Sequence, residues 1–131
     1  MDNCIFCKII KKQIPCHCVY EDEHTLAFLD INPISDGHVV VIPKHHAEFM
    51  HELPSASAST LMLAVQKVAA ACTTPYNILN NNGELAGQVV KHVHFHVIPK
   101  TDNSGLRGEW KVLQDKRDFK TVQAEIVQRM K

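Results

Sequence analysis

The sequence predicts an α+β domain, an antiparallel sheet of about five strands carrying one long helix, a short N-terminal helix and a C-terminal helix. Three observations lead there. Short runs rich in β-branched and aromatic residues, among them "GHVVVIPK" and "YNILN", are bounded by turn residues and read as strands. A single long segment of helical period, Pro54 to Cys72, interrupts them. The links between runs are short, which favours antiparallel neighbours.

In chain order, "CIFCKIIKKQIP" places Ile5, Phe6, Ile9 and Ile10 at helical spacing and stops before Pro15, giving one short helix. "CVYEDEHTLAFLD" is two strands around the acidic turn Glu21-Asp22-Glu23, and the valine-rich strand ended by Pro43 completes a meander. In "PSASASTLMLAVQKVAAAC" serines cap a helix that sets Leu61, Leu63, Ala64, Val68 and Ala71 on one side. "YNILN" is a strand, "NNGELAGQ" a loop, and Val89 to Ile98 the next strand. "TDNSGLRGEW" is loop-like, and Asp118 to Met130 carries Phe119, Val122, Ile126 and Met130 at the spacing of a terminal helix.

At 131 residues and 45% hydrophobic, the chain suits one domain with its own core. Fourteen basic residues balance fourteen acidic ones, so no broad field draws nucleic acid or membrane, and an anionic ligand must be held by local chemistry. No apolar run approaches the roughly 20 residues of a membrane helix. Met1-Asp2-Asn3-Cys4 lacks the basic and apolar stretches of a signal peptide, so the expected location is cytoplasmic, with the nucleus also open. Cys4, Cys7, Cys16, Cys18 and Cys72 form an odd set that suits thiols or metal ligands better than a disulfide framework.

Nine histidines are the unusual feature, and His92, His94 and His96 take alternate positions in "KHVHFHVIPK". On a strand such side chains share one face at about 6.6 to 6.8 Å, leaving Val93, Phe95 and Val97 to cover a helix on the other. The plain alternative is a wet strand whose polar positions happen to be histidine. Two active readings compete with it. Same-face imidazoles can converge on a metal, or they can divide the work of nucleophile and proton donor, because unperturbed histidine titrates near neutrality. The adjoining "NNNGELAGQ", with Gly83 and Gly87, lets backbone N–H groups approach an anion. An anion site beside a nucleophilic histidine suggests phosphoryl or nucleotidyl transfer.

Cys4-x-x-Cys7 is a metal half-site that needs two more ligands. Cys16 and Cys18 read as ordinary thiols, Cys72 as core, and His17, His24, His38 and His51 as surface or hydrogen-bonded structural residues.

"GQVVKHVHFHVIPK" resembles the histidine triad signature, His-φ-His-φ-His-φ-φ with φ apolar. "CIFCKII", "VYEDEHTLAFLDINPISDGHVVVIPKHH" and "NNNGELAGQ" resemble the matching blocks of its Hint branch, the nucleoside phosphoramidases or HIT-like proteins. The resemblance runs from Asn3 to about Lys100 of a single domain over 1–131, leaving 101–131 as a variable tail. It implies a HIT-like fold and a hydrolase or transferase acting at the α-phosphate of purine nucleoside 5′-phosphoramidates or related nucleotide conjugates. The reaction would pass through a nucleotidyl-histidine and release the nucleoside monophosphate.

By position in that pattern the nucleophile is His94, and His96 lies against the phosphate and leaving group. Asn81, Gly87, Gln88 and Val89 match the phosphate loop. Some relatives carry serine where Val89 stands, so only its backbone N–H can serve here. Asp30 matches the carboxylate that holds the ribose, and Phe28, Leu29 and Ile31, with Ile5, Phe6 and Ile9, match the apolar slot for the base. Cys4, Cys7, His46 and His92 match a closed structural zinc site, with no catalytic metal implied. His45 is chemically equivalent to His46, and the resemblance alone prefers the latter. The family pattern also implies a homodimer paired through the long helix and its neighbouring strand. A dinucleoside polyphosphate hydrolase or nucleotidyl transferase, a non-catalytic nucleotide-binding adaptor and a three-histidine catalytic zinc site stay open as alternatives.

Overall fold

A computed structural model describes residues 3–106 and 110–131. Met1 and Asp2, and part of the loop expected over Thr101 to Trp110, lie outside the described residues. Along the chain run α1 (Ile5–Ile10), β1 (Cys18–Glu21), β2 (Thr25–Leu29), β3 (Val39–Pro43), α2 (Ser55–Ala70), β4 (Tyr76–Leu79), β5 (Phe95–Pro99) and α3 (Phe119–Arg129), with single 3-10 turns at Met50–Glu52 and Glu84–Ala86. The strands pair antiparallel in the order β1-β2-β3-β5-β4, the α+β architecture that the sequence predicts.

β2 and β3 are buried at every position because both faces of the sheet are covered. Ala27, Leu29, Val39, Val41 and Val97 pack under α2 against Leu61, Ala64, Val65 and Val68, and Val122 and Ile126 of α3 close that side. The alternate residues Leu26, Phe28, Val40 and Ile42 face the other way, against Phe6 and Ile9 of α1. A fully buried side chain such as Leu61 or Ile42 contributes about 1.5–3 kcal/mol. Among the described residues no helix is long and apolar enough to cross a membrane.

Four details depart from the periodic reading. The first helix stops at Ile10, because Lys12 turns left-handed at φ 64° and redirects the chain well before Pro15. Pro54 holds the N-cap position of α2, and no serine hydroxyl caps it. Leu63 is 57% exposed, so the buried stripe of α2 is Leu61, Ala64, Val65, Val68 and Ala69. The strand expected over Val89 to Ile98 begins only at Phe95. Its partner β3 ends at Pro43, and beyond that point Val93 N–H bonds the carbonyl of Ala47 instead of continuing the ladder.

Candidate active site and metal-binding cluster

The β3–β5 register decides what meets the histidines. Val40 stands opposite His96, so His38, two residues earlier on the same face, comes against the His96 ring. His38 Nε2 lies 2.9 Å from His96 Nδ1. Sequence reasoning left His38 structural. Its signal was one polar residue at the head of a valine run, and only the register shows what it touches. His92, His94 and His96 are 0%, 6% and 7% exposed, which removes the wet-strand reading. Phe6 lies edge-to-face on His94 at 5.1 Å, His94 on His96 at 5.0 Å, and Trp110 on His96 at 5.0 Å, forming one row of rings.

Hydrogen bonds assign the protons along this row. Ile34 N–H donates to His38 Nδ1 at 3.2 Å, so the His38 proton sits on Nε2 and is donated to His96 Nδ1. His96 therefore carries its proton on Nε2. His94 does the reverse: its Nδ1 is 2.8 Å from the His92 carbonyl oxygen, which can only accept, so Nδ1–H donates and Nε2 keeps its lone pair. Burial keeps these rings neutral. It pushes His38 down to about 3, and, with His38 and His94 as lesser causes, His96 down to about 3. Burial also lowers His94.

Asp30, His38 and His96 converge closely enough to suggest a metal, but the tautomers argue against one. His38 Nε2 faces the other two as an N–H donor because Ile34 N–H occupies its Nδ1. Asp30 Oδ2, 3.6 Å from His38 Nε2, is a carboxylate near a neutral ring rather than half of an ion pair. The other Asp30 oxygen accepts from Asn32 N–H at 2.8 Å, which orients the carboxylate at the end of β2.

The second cluster has the opposite character. Cys4 Sγ lies 3.3 Å from His92 Nδ1, Cys7 Sγ 3.3 Å from His46 Nδ1 and 3.7 Å from His92 Nδ1, and the two Nδ1 atoms are 3.1 Å apart. Ligand bonds of about 2.3 Å to sulfur and 2.0 Å to nitrogen give a tetrahedron with edges of about 3.3–3.8 Å. These four residues can hold a metal ion. His92 Nε2 donates to the carbonyl of Pro43 at 2.8 Å, which fixes a lone pair on the Nδ1 that faces the cluster. Burial pushes His92 down to about 4, in the neutral form that a ligand requires. Burial and the neighbouring Cys4 push the Cys7 thiol up, so paired thiolates here call for a cation. His45 is exposed and outside the cluster, which separates it from His46. All five cysteines are unpaired, and burial raises Cys16, Cys18 and Cys72, consistent with ordinary thiols.

The loop before β5 is organised by Gln88. Its Oε1 accepts from Gly83 N–H at 2.7 Å and its Nε2 donates to Glu48 O and Val90 O at 2.8 and 3.1 Å, so this side chain shapes the loop from within. Gly87 has φ 95°, and a Cβ there would come within 3.3 Å of Asn81 Nδ2, which itself reaches Gly87 O at 3.4 Å. Gly87 N–H bonds Glu84 O. The Val89 N–H bonds nothing among the described residues, and Val89 is 88% exposed. One open amide thus stands at the end of a rigid loop.

On the α1 face, Phe6 and Phe28 pack edge-to-face at 5.6 Å over the buried Ile9, and Ile5 and Ile31 expose apolar side chains at the start of α1 and just past β2. Leu29 does not join them. Strand alternation turns it to the α2 side of the sheet, where it is 3% exposed.

Residues 11–103 match the family model of the HIT domain. The chain belongs to the HIT domain family. Among curated relatives, an adenosine 5′-monophosphoramidase of Schizosaccharomyces pombe is 51% identical over 110 residues, 82% of this chain and 83% of that protein. Among solved structures, a hypothetical histidine triad nucleotide-binding protein from Sulfolobus tokodaii superposes with a TM-score of 0.85 at 32% identity, covering 97% of this chain and 91% of that one. A zinc-bound histidine triad family protein from Mycobacterium smegmatis gives 0.82 at 29% identity, covering 98% and 94%. The likeness of this HIT protein to both structures therefore extends past β5 into the C-terminal segment.

Proposed function

We propose that this HIT protein hydrolyses purine nucleoside 5′-phosphoramidates or related nucleotide conjugates at the α-phosphorus, with His94 as nucleophile. The observation that carries the reading is the pair of opposite tautomers. His94 holds a lone pair on Nε2, and its neighbour His96, ring centroid 5.0 Å away, holds a proton on the same atom. One ring can attack while the other donates. The relative named adenosine 5′-monophosphoramidase supports the substrate class.

His94 Nε2 forms a bond to phosphorus as the bond to the leaving nitrogen breaks. The positive charge that develops on the ring is eased by Nδ1–H donation to the His92 carbonyl. His96 Nε2–H donates a hydrogen bond to the phosphate and the departing nitrogen, and the amine takes up a proton from water. Val89 N–H, and the loop that Asn81, Gly87 and Gln88 keep in shape, receive the phosphate oxygens. Asp30 accepts from the ribose hydroxyls, and Phe6, Phe28, Ile5, Ile9 and Ile31 border the base. Water then hydrolyses the nucleotidyl-histidine, releasing the nucleoside monophosphate.

The cluster Cys4, Cys7, His46 and His92 fits zinc by donor set and spacing, and a zinc-bound relative of the same fold supports that identity. Bound there, zinc would tie α1 to the segment carrying the triad. Met62, Leu63, Tyr76 and Ile78 expose contiguous apolar surface on α2 and the edge strand β4, 39–57% exposed, which supports a homodimer through that face.

The deciding experiment is AMP release from adenosine 5′-phosphoramidate by the wild type and by His94→Ala at matched folding. Turnover in the wild type and none in the variant is expected. Equal rates in both would overturn the assignment of the nucleophile.

A further inference from the structure

Trp110 has no part in the roles assigned above. Its ring lies edge-to-face on His96 at 5.0 Å and on His38 at 5.5 Å, while the residue is 44% exposed. The chain on either side of it is tied to the loop between β2 and β3. Gly105 N–H bonds Ile34 O at 2.9 Å, and Leu113 N–H bonds Pro33 O at 2.8 Å. That loop is the one whose Ile34 N–H sets the tautomer of His38. The indole is therefore held against the His38–His96 pair, part of it on imidazole and part in solvent.

We propose that Trp110 is a positioning residue: its indole keeps water off the His38–His96 hydrogen bond and so fixes which nitrogen of His96 carries the proton. An imidazole in water exchanges its proton between Nδ1 and Nε2. A single buried N–H···N bond, in a dry setting where each bond is electrostatically stronger, selects one form. Water reaching His96 Nδ1 would compete with His38 as a partner and open the other tautomer, which presents a bare Nε2 to substrate.

The titratable groups around His96 are His38 at the head of β3, His94 before β5, and Asp30 after β2; Leu79 stands opposite it on β4. Asp30 favours a charged His96, whereas His38 and His94 oppose it. Burial is the largest influence, and it is the one that removal of the indole would change.

The catalytic consequence rests on the phosphoramidase reading; the physical claim does not. The test is nitrogen and proton NMR of the imidazoles in the metal-loaded protein, across pH, for the wild type, W110A, W110Q and W110F. The wild type is expected to hold His96 as the Nε2–H tautomer with protonation only well below its ordinary range. In W110A and W110Q the His96 titration should move up by about one pH unit or more, with both tautomers present, and W110F should return most of the wild-type behaviour. In turnover, W110A should lower kcat/KM across neutral pH, where a share of His96 then presents a bare Nε2 to substrate, and W110F should restore most of it. Unchanged His96 tautomer and titration in W110A would overturn the proposal. A wild type that turns over no phosphoramidate would defeat the functional reading alone, because the NMR comparison still decides the role of Trp110.

Discussion

The backbone carbonyl of His92 accepts the Nδ1 proton of His94 at 2.8 Å, while the His92 ring turns its own Nδ1 into the Cys4–Cys7–His46 cluster. One residue thus joins the candidate metal cluster to the His94 ring, through its side chain on one side and its backbone on the other.

Replacement of His94 should remove turnover with little effect on folding. His94→Ala is expected to lose about 10³-fold or more in kcat while its urea midpoint stays near that of the wild type. Single-turnover assays of AMP release check it, and retention of most of the activity would exclude His94 as nucleophile.

Loss of the metal should be a stability defect first. Chelation, or Cys7→Ser, is expected to lower Tm by about 15 °C, the shift for a ligand present at about a thousandfold over its Kd in a domain of this size. Activity should fall in step with the folded fraction. Loss of the chemical step in a protein whose melting is unchanged would point instead to a catalytic metal.

His38→Ala would leave the buried His96 Nδ1 without its partner, at a cost of about 1–3 kcal/mol. The proton on His96 Nε2 would no longer be enforced. A fall in kcat of about tenfold or more is expected, with KM changed much less. Steady-state kinetics beside urea titrations would show whether the effect lies in rate or only in stability.

The buried histidines set a pH dependence of folding. His38 and His96 are pushed down to about 3 in the folded chain, against about 6.5 when unfolded. Between those values the unfolded chain binds more protons, so stability rises with pH. It should be complete above about pH 6.5 and decline as pH falls from there towards about 3. Urea midpoints at pH 7.5, 6 and 5 should decrease in that order, with a shallower slope in His38→Ala. Equal midpoints at the three pH values would show that these rings are not held neutral.

The exposed face of α2 and β4 predicts a solution dimer. Leu63→Glu places a charge in the middle of that apolar surface and is expected to give the mass of a single chain by light scattering, with the fold retained. A wild type that already runs as a single chain would remove the homodimer reading.

Much of this molecule is legible in the residue pattern because the signals are local. Saturation with valine before Pro43 reports a strand, a period of two in "KHVHFHV" reports one that forms only from Phe95 onward, and the period of α2 reports its buried stripe with one error at Leu63. Cys4-x-x-Cys7 reads as a metal half-site from its spacing, while its two further ligands came only from the family resemblance. Residue chemistry did not separate His46 from His45 and only the resemblance did; the turn of the chain after β3 gives the physical reason, exposing one ring and aiming the other at Cys7. The resemblance put Leu29 in the base slot together with Phe28, although neighbours on a strand face opposite sides of the sheet.

By itself, then, the sequence determined most of the strands and helices, the Cys4–Cys7 half-site and the alternation of the three histidines. Tertiary structure alone decided which protons those histidines hold. The tautomer of His96 depends on His38, 58 residues away in the chain, and that of His38 on the amide of Ile34. The register of β3 against β5 and the segment carrying Trp110 complete the arrangement. Local periodicity places a side chain on a face; which nitrogen it protonates is set by what the rest of the chain brings against that face.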